Sequence, residues 1–226
     1  GVCTGDSNTA VGFAAGDSII GGTHNVAVGN NALGSMSDKS YCIAIGSGAL
    51  SAANGNYNIA LGSYSGGTLG TASENILMGF RSAESTNRNS NTVIGHYAAR
   101  YPMITQAVVI GTAAAYGVSG SAADCDKLTA VGFAAAEGII SGPATTAVGY
   151  QAGNDITTGG SNTAIGAHAL EKQTTNHYNT AVGVSALGKN STSGGYNTGV
   201  GVVAGGEITS GSRHTCLGYG AGSNAV

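Results

Sequence analysis

Along the whole chain apolar and polar positions follow one short phrase: polar, β-branched, small, aliphatic, Gly, two free positions, then Ala or Ser. It reads NTAVGFAA at 8–15, NTVIGHYA at 91–98, NTAIGAHA at 162–169 and NTAVGVSA at 179–186. The motif glycines are Gly12, Gly29, Gly46, Gly62, Gly79, Gly95, Gly111, Gly132, Gly149, Gly166, Gly183, Gly201 and Gly218. Their intervals are 16, 17 or 18 residues, with a single interval of 21 between Gly111 and Gly132. A period held this tightly predicts stacked, near-identical coils. Within each phrase the residue at −1 from the glycine is always aliphatic and the residue at −3 is always Thr, Val or Ile. This alternation, in β-branched residues, predicts a short strand per coil, with −1 and −3 facing the interior.

Position −2 is usually Ala, and position +3 is Ala or Ser in every repeat. Small residues at recurring places imply the close approach of another backbone. Position −4 is Asn at Asn8, Asn25, Asn58, Asn75, Asn91, Asn162, Asn179 and Asn197. Two roles fit these side chains: an amide ladder running from coil to coil, or a turn conformation that other residues disfavour. The expected fold is all-β, a parallel β-solenoid or β-roll of about 13 coils, in which coils spaced by about 4.8 Å make a rod roughly 60 Å long. Residues 1–226 form a single repetitive unit, expected to be a segment of a longer fibre. Each coil brings few large inward side chains, so burial of the small-residue face against sister chains in a homotrimer is expected.

Composition changes this picture little. Forty glycines would otherwise suggest disorder, but the aliphatic residues recur in register. Charged residues are 8% of the chain and the formal net charge is −3, which argues against a nucleic-acid partner. No apolar run of membrane-spanning length is present, so no membrane insertion is expected. Cys3, Cys42, Cys125 and Cys216 lie in well-separated coils without metal-ligand spacing, and are expected to be reduced, packed thiols.

TTAVGYQAG at 145–153 resembles the NTAVGYQAG-type repeats of phage tail-fibre proteins, and is similar to the head repeats of trimeric autotransporter adhesins, which form left-handed parallel β-rolls. The resemblance extends over 8–222. It implies a structural and adhesive segment of a tail fibre, located in the virion and extracellular when functioning. The implied partners are sister chains in a homotrimer, a host cell-surface glycan or protein, and other tail-fibre or baseplate proteins. A bacterial adhesin head or other surface filament is the alternative. The period is longer than in adhesin heads and no coiled-coil stalk is present, which favours the phage fibre.

Candidate chemistry is sparse. His24, His96, His168, His177 and His214 occupy scattered positions, and no convergent set of acids and bases is visible. Neither catalysis nor a cofactor is expected, nor a metal site. Asp124 and Asp126 form the one close acid pair, inside the four-residue surplus at 117–127, which is either a ligand contact or a tolerated insertion. Phe13, Phe80, Phe133, Tyr150 and Tyr219 directly follow a motif glycine. These, with Tyr64 and Tyr97 one position later, are placed either to pack between chains or, if exposed, to stack on sugar rings, with Tyr150 and Tyr219 as candidate ligand contacts.

Overall fold

The computed structural model describes residues 5–85, 88–119, 125–189 and 194–222. It contains thirteen three-residue strands: β1 (Thr9–Val11), β2 (Val26–Val28), β3 (Ile43–Ile45), β4 (Ile59–Leu61), β5 (Ile76–Met78), β6 (Thr92–Ile94), β7 (Val108–Ile110), β8 (Thr129–Val131), β9 (Thr146–Val148), β10 (Thr163–Ile165), β11 (Thr180–Val182), β12 (Thr198–Val200) and β13 (Thr215–Leu217). Each pairs in parallel with the next, in chain order, as one thirteen-stranded sheet. The chain is therefore an all-β parallel solenoid with one strand per coil. Register is motif to motif even across the long interval, where Val109 lies opposite Ala130. The surplus residues leave that pairing intact. No helix among the described residues is long and apolar enough to span a membrane.

Beyond the strand the coil closes through tight turns. The Ala15 N–H donates to the Gly12 carbonyl (3.4 Å), and Ala14 between them has φ 53°, as in a type II turn. Position +4 repeats the positive φ, at Leu50 (50°) and Leu170 (50°) for example. Because these left-handed positions accept Ala, Leu and Tyr here, they do not explain the motif glycine. Gly132 does: its φ is +136°, and a Cβ there would fall against the carbonyl oxygen of Gly149 in the next coil. Glycine is required because two backbones meet at that corner.

The interior corrects the expected phase of the strand. In β2 to β13 the middle residue, at −2, is buried, whereas −1 and −3 are half-buried or exposed. Ala164 is 0% exposed and Ile165 beside it is 40% exposed. The small residues thus line the core, and the aliphatic ones point outwards. The reason is cross-sectional area. The interior is filled from the opposite wall, by +4 (Leu33, Leu50, Leu170, Leu187) and +7 (Ile19, Met36, Leu69, Ile139, Ile156, Ile208). In several coils these two positions trade volume. Gly66 precedes Leu69 and Gly153 precedes Ile156, while Leu50 precedes Ala53. A Cβ on Gly66 would lie 2.7 Å from Leu77 Cδ1 and 2.8 Å from Leu50 Cδ2. With that space taken most strands present Ala inwards, and the three that present Leu77, Val93 or Val109 have only alanine at +4, at Ala83, Ala99 and Ala115.

A candidate assembly face and the side-chain ladders

The outward residues of the strands form two columns along one side of the rod. Across all thirteen strands they are Thr, Val, Ile, Leu or Met, without a charge or an amide. Ile45, Ile76, Met78, Val108, Ile110 and Ile165 are each between 36% and 42% exposed. Cross-strand neighbours in the parallel register cover the remainder of each side chain. An uncharged strip of this length, aliphatic throughout at −1 and Thr in eight of thirteen strands at −3, marks an interaction surface.

The aromatic residues that follow the motif glycine border this strip. Tyr150 stacks on Phe133 with centroids 5.5 Å apart, and Phe80 stacks on His96 at 5.3 Å. Tyr150 is 50% exposed and Tyr219 86% exposed. The stacked rings spend one face on each other, and the structure brings Tyr150 and Tyr219 to no common site.

At −4 the asparagines reach along the rod. Asn162 Oδ1 accepts the Asn179 backbone N–H (2.9 Å), and Asn162 Nδ2 donates to the Asn176 carbonyl (2.8 Å). The same pair of bonds recurs from Asn8 to Asn25 N and Gly22 O, from Asn91 to Ala107 N and Ile104 O, and from Asn197 to His214 N and Gly211 O. Asn25 likewise binds Cys42 N and Lys39 O. Asn58 donates to Ala72 O and Asn179 accepts from Asn197 N. Direct amide-to-amide bonds also occur, from Asn75 to Asn58 (3.0 Å) and from Asn91 to Asn75 (3.1 Å). These side chains mainly clamp the backbone of the following coil, which neither a pure amide stack nor a local turn requires. Where −4 is Cys42, the thiol donates to Gly55 O (3.3 Å), the equivalent carbonyl. Burial pushes that thiol's pKa above its usual value, against the opposing pull of its backbone hydrogen bonds.

The largest polar cluster was not foreseen from the sequence. Glu84 lies 2.7 Å from Arg100 and 3.6 Å from Arg81, and Arg100 donates to Tyr116 Oη (3.0 Å). The Arg100 guanidinium also sits 4.9 Å from the Tyr97 ring centroid and 4.7 Å from that of Tyr101. Burial pulls its pKa down, but Glu84 and Tyr116 outweigh this and the net shift is upward. The signal was present as motif position: Glu84, Arg100 and Tyr116 all stand five residues after a motif glycine, in successive coils.

The histidines are dispersed. His168 pairs with Glu171 (2.9 Å), His24 stacks on Tyr41, and His177 Nδ1 accepts the Gly160 N–H. Among the described residues no group of three His, Cys, Asp or Glu side chains could hold a metal ion. Asp126 is half-buried with its Oδ1 lacking a partner, while Asp124 and Cys3 lie outside the described residues. Cys42, Cys125 and Cys216 are buried free thiols.

Comparison of the chain with protein-family models, with curated proteins and with solved structures finds no match.

Proposed function

We propose that this chain is a structural and adhesive segment of a phage tail fibre, in which three copies close their sheet faces around a common axis to make a rigid rod for binding a host surface. The observation that carries this is the uncharged apolar strip along the sheet. Thirteen coils at about 4.8 Å and a three-residue strand give about 600 Å² of flat face per chain, which a closed trimer would take out of water on every copy. Closed cyclic symmetry buries the strip on every copy and leaves no open face to propagate aggregation. The homotrimer is therefore built on the aliphatic columns and not on the small residues. The turn walls, rich in Ser, Thr, Asn and Gly, stay outside, where fibre partners and a cell-surface glycan or protein can be met.

Sedimentation of the purified chain at nanomolar to micromolar concentration tests the assembly, and competition between the purified rod and whole phage for host cells tests the adhesive role. A trimer that blocks adsorption is the expected result. A monomer that stays folded and dispersed at micromolar concentration would overturn the assembly, and a trimer without effect on adsorption would leave a shaft without the adhesive role.

A further inference from the structure

On the corner that precedes the strand, position −5 carries two aromatic stacks. His24, Tyr41 and Tyr57 form one, with centroid spacings of 5.0 and 5.2 Å; Tyr178 and Tyr196 form the other, 4.9 Å apart and 15° from parallel. The second stack borders a groove of about 210 Å³ lined by Thr175, Asn176, His177, Tyr178, Gly195 and Tyr196. The groove exists because Gly195 stands, in the next coil, where His177 stands in its own, so nothing projects above the imidazole at that motif position.

The lining has a definite chemistry. It contains no carboxylate, lysine or arginine side chain. Tyr178 and Tyr196 are 53% and 58% exposed, and two stacked rings offer outward faces and edges together with two phenol hydroxyls. Because His177 Nδ1 accepts the Gly160 N–H (3.0 Å), the neutral ring carries its proton on Nε2, a donor on an exposed side chain. Beneath lies Asn176, 9% exposed, whose Nδ2 has no hydrogen-bond partner although its backbone carbonyl is bonded twice, by Asn162 (2.8 Å) and Gln173 (2.6 Å). A buried amide donor without an acceptor is costly, which marks the floor of the groove as a strained polar position.

From these features we infer that the groove beside Tyr178 and Tyr196 is a subsite for a neutral pyranose. A sugar ring has an apolar C–H face to lie against a tyrosine, and hydroxyls on its rim that both accept and donate. His177 Nε2–H donates to those hydroxyls, and the tyrosine Oη atoms accept from them. An anionic ligand finds no lysine or arginine in this lining, and a purely apolar one would leave the His177 donor and the tyrosine hydroxyls unused. The inference deepens the adhesive half of the proposed function and rests on it for its biological use, but the binding event itself is tested separately.

The probes are the methyl β-pyranosides of glucose, galactose, N-acetylglucosamine and N-acetylgalactosamine, each at about 10 mM because a single shallow subsite binds weakly. Saturation-transfer NMR on the full chain reads contact with their C–H protons. The expected result is transfer from the wild-type rod to at least one of the four. Transfer should be retained in Tyr41→Ala/Tyr57→Ala, a matched stack flanked by Ser40 and Asn56 instead of His177 and Gly195. It should fall about fivefold or more in Tyr178→Ala/Tyr196→Ala, as loss of ring stacking predicts. Sedimentation of the same samples shows whether each variant still assembles. Tyr178→Leu/Tyr196→Leu, which keeps apolar bulk at −5 but removes the flat ring faces, serves as a second variant should the double alanine misassemble, with the same fall expected. No transfer to any probe from the wild type, or equal transfer from assembled Tyr178→Ala/Tyr196→Ala, overturns the subsite while leaving the fibre assignment standing. Blocked adsorption without sugar contact would likewise assign binding to another wall.

Discussion

Aspartate placed at adjacent residues of one strand, Ala164→Asp and Ile165→Asp, separates the interior of the coil from its assembly face. Ala164 is wholly buried and stacked between Ala147 and Ala181 of the neighbouring coils. A carboxylate there has no counter-charge and no room, and an uncompensated buried charge costs about 3–5 kcal/mol even after local relaxation. In a solenoid that loss falls on one coil and its two interfaces, so the stack should open around β10. Ile165 is 40% exposed and flanked by Val148 and Val182. Losing its covered half costs the single chain about 1–1.5 kcal/mol, which for a chain of this size lowers the melting midpoint by about 3–5 °C. In the proposed closed trimer, however, the same substitution would set three carboxylates around one dry axis. Ile165→Asp should therefore keep the far-ultraviolet circular dichroism of the parent and sediment as a monomer, whereas Ala164→Asp should lose structure whatever its association state. Paired dichroism melts and sedimentation velocity at one concentration decide it. If Ile165→Asp still assembles, or if Ala164→Asp melts like the parent, the assigned phase of the strand is wrong.

Asn91→Ala leaves the Ala107 N–H and the Ile104 carbonyl without their partner, both in the following coil, and should cost about 3 kcal/mol; hydrogen exchange at Ala107 should accelerate by about 100-fold while the distant Val182 amide is unaffected. Gly132→Ala combines a left-handed φ with a clash against the Gly149 backbone, so a loss above about 3 kcal/mol is expected in denaturant melts, and a neutral result would show that the corner can open. Cys42, whose folded-state pKa lies above its ordinary value of 9.0, contributes stability that is full below that value. The contribution fades as pH rises, because the unfolded thiol ionises first. Denaturant stability should thus fall between pH 8 and pH 10.5 by more in the parent than in Cys42→Ala, and equal falls would refute a buried neutral thiol.

The repeat phrase by itself determined much of this molecule. Its spacing placed a strand at every motif, from Thr9–Val11 to Thr215–Leu217, and it put those strands parallel and in register. The role of the motif glycine as a point of backbone contact came only from the structure. Parallel stacking follows from periodicity alone, because identical phrases satisfy one another only when aligned. The cross-coil pairs were harder to see. Glu84 with Arg100 and Tyr178 with Tyr196 stand 16 and 18 residues apart, and become neighbours only once the register is fixed. Which side of the strand faces inwards was decided by tertiary structure. Alternation has two phases, and the usual preference for burying Ile and Val over Ala selects the wrong one here. The decisive quantity is the space left inside a coil of about 17 residues after Leu50, Leu69 or Ile156 has entered from the opposite wall. In those coils a residue as small as Ala164 fits beneath the sheet, and Leu77, Val93 and Val109 take its place where +4 is only Ala83, Ala99 or Ala115; Ile165 is turned outwards.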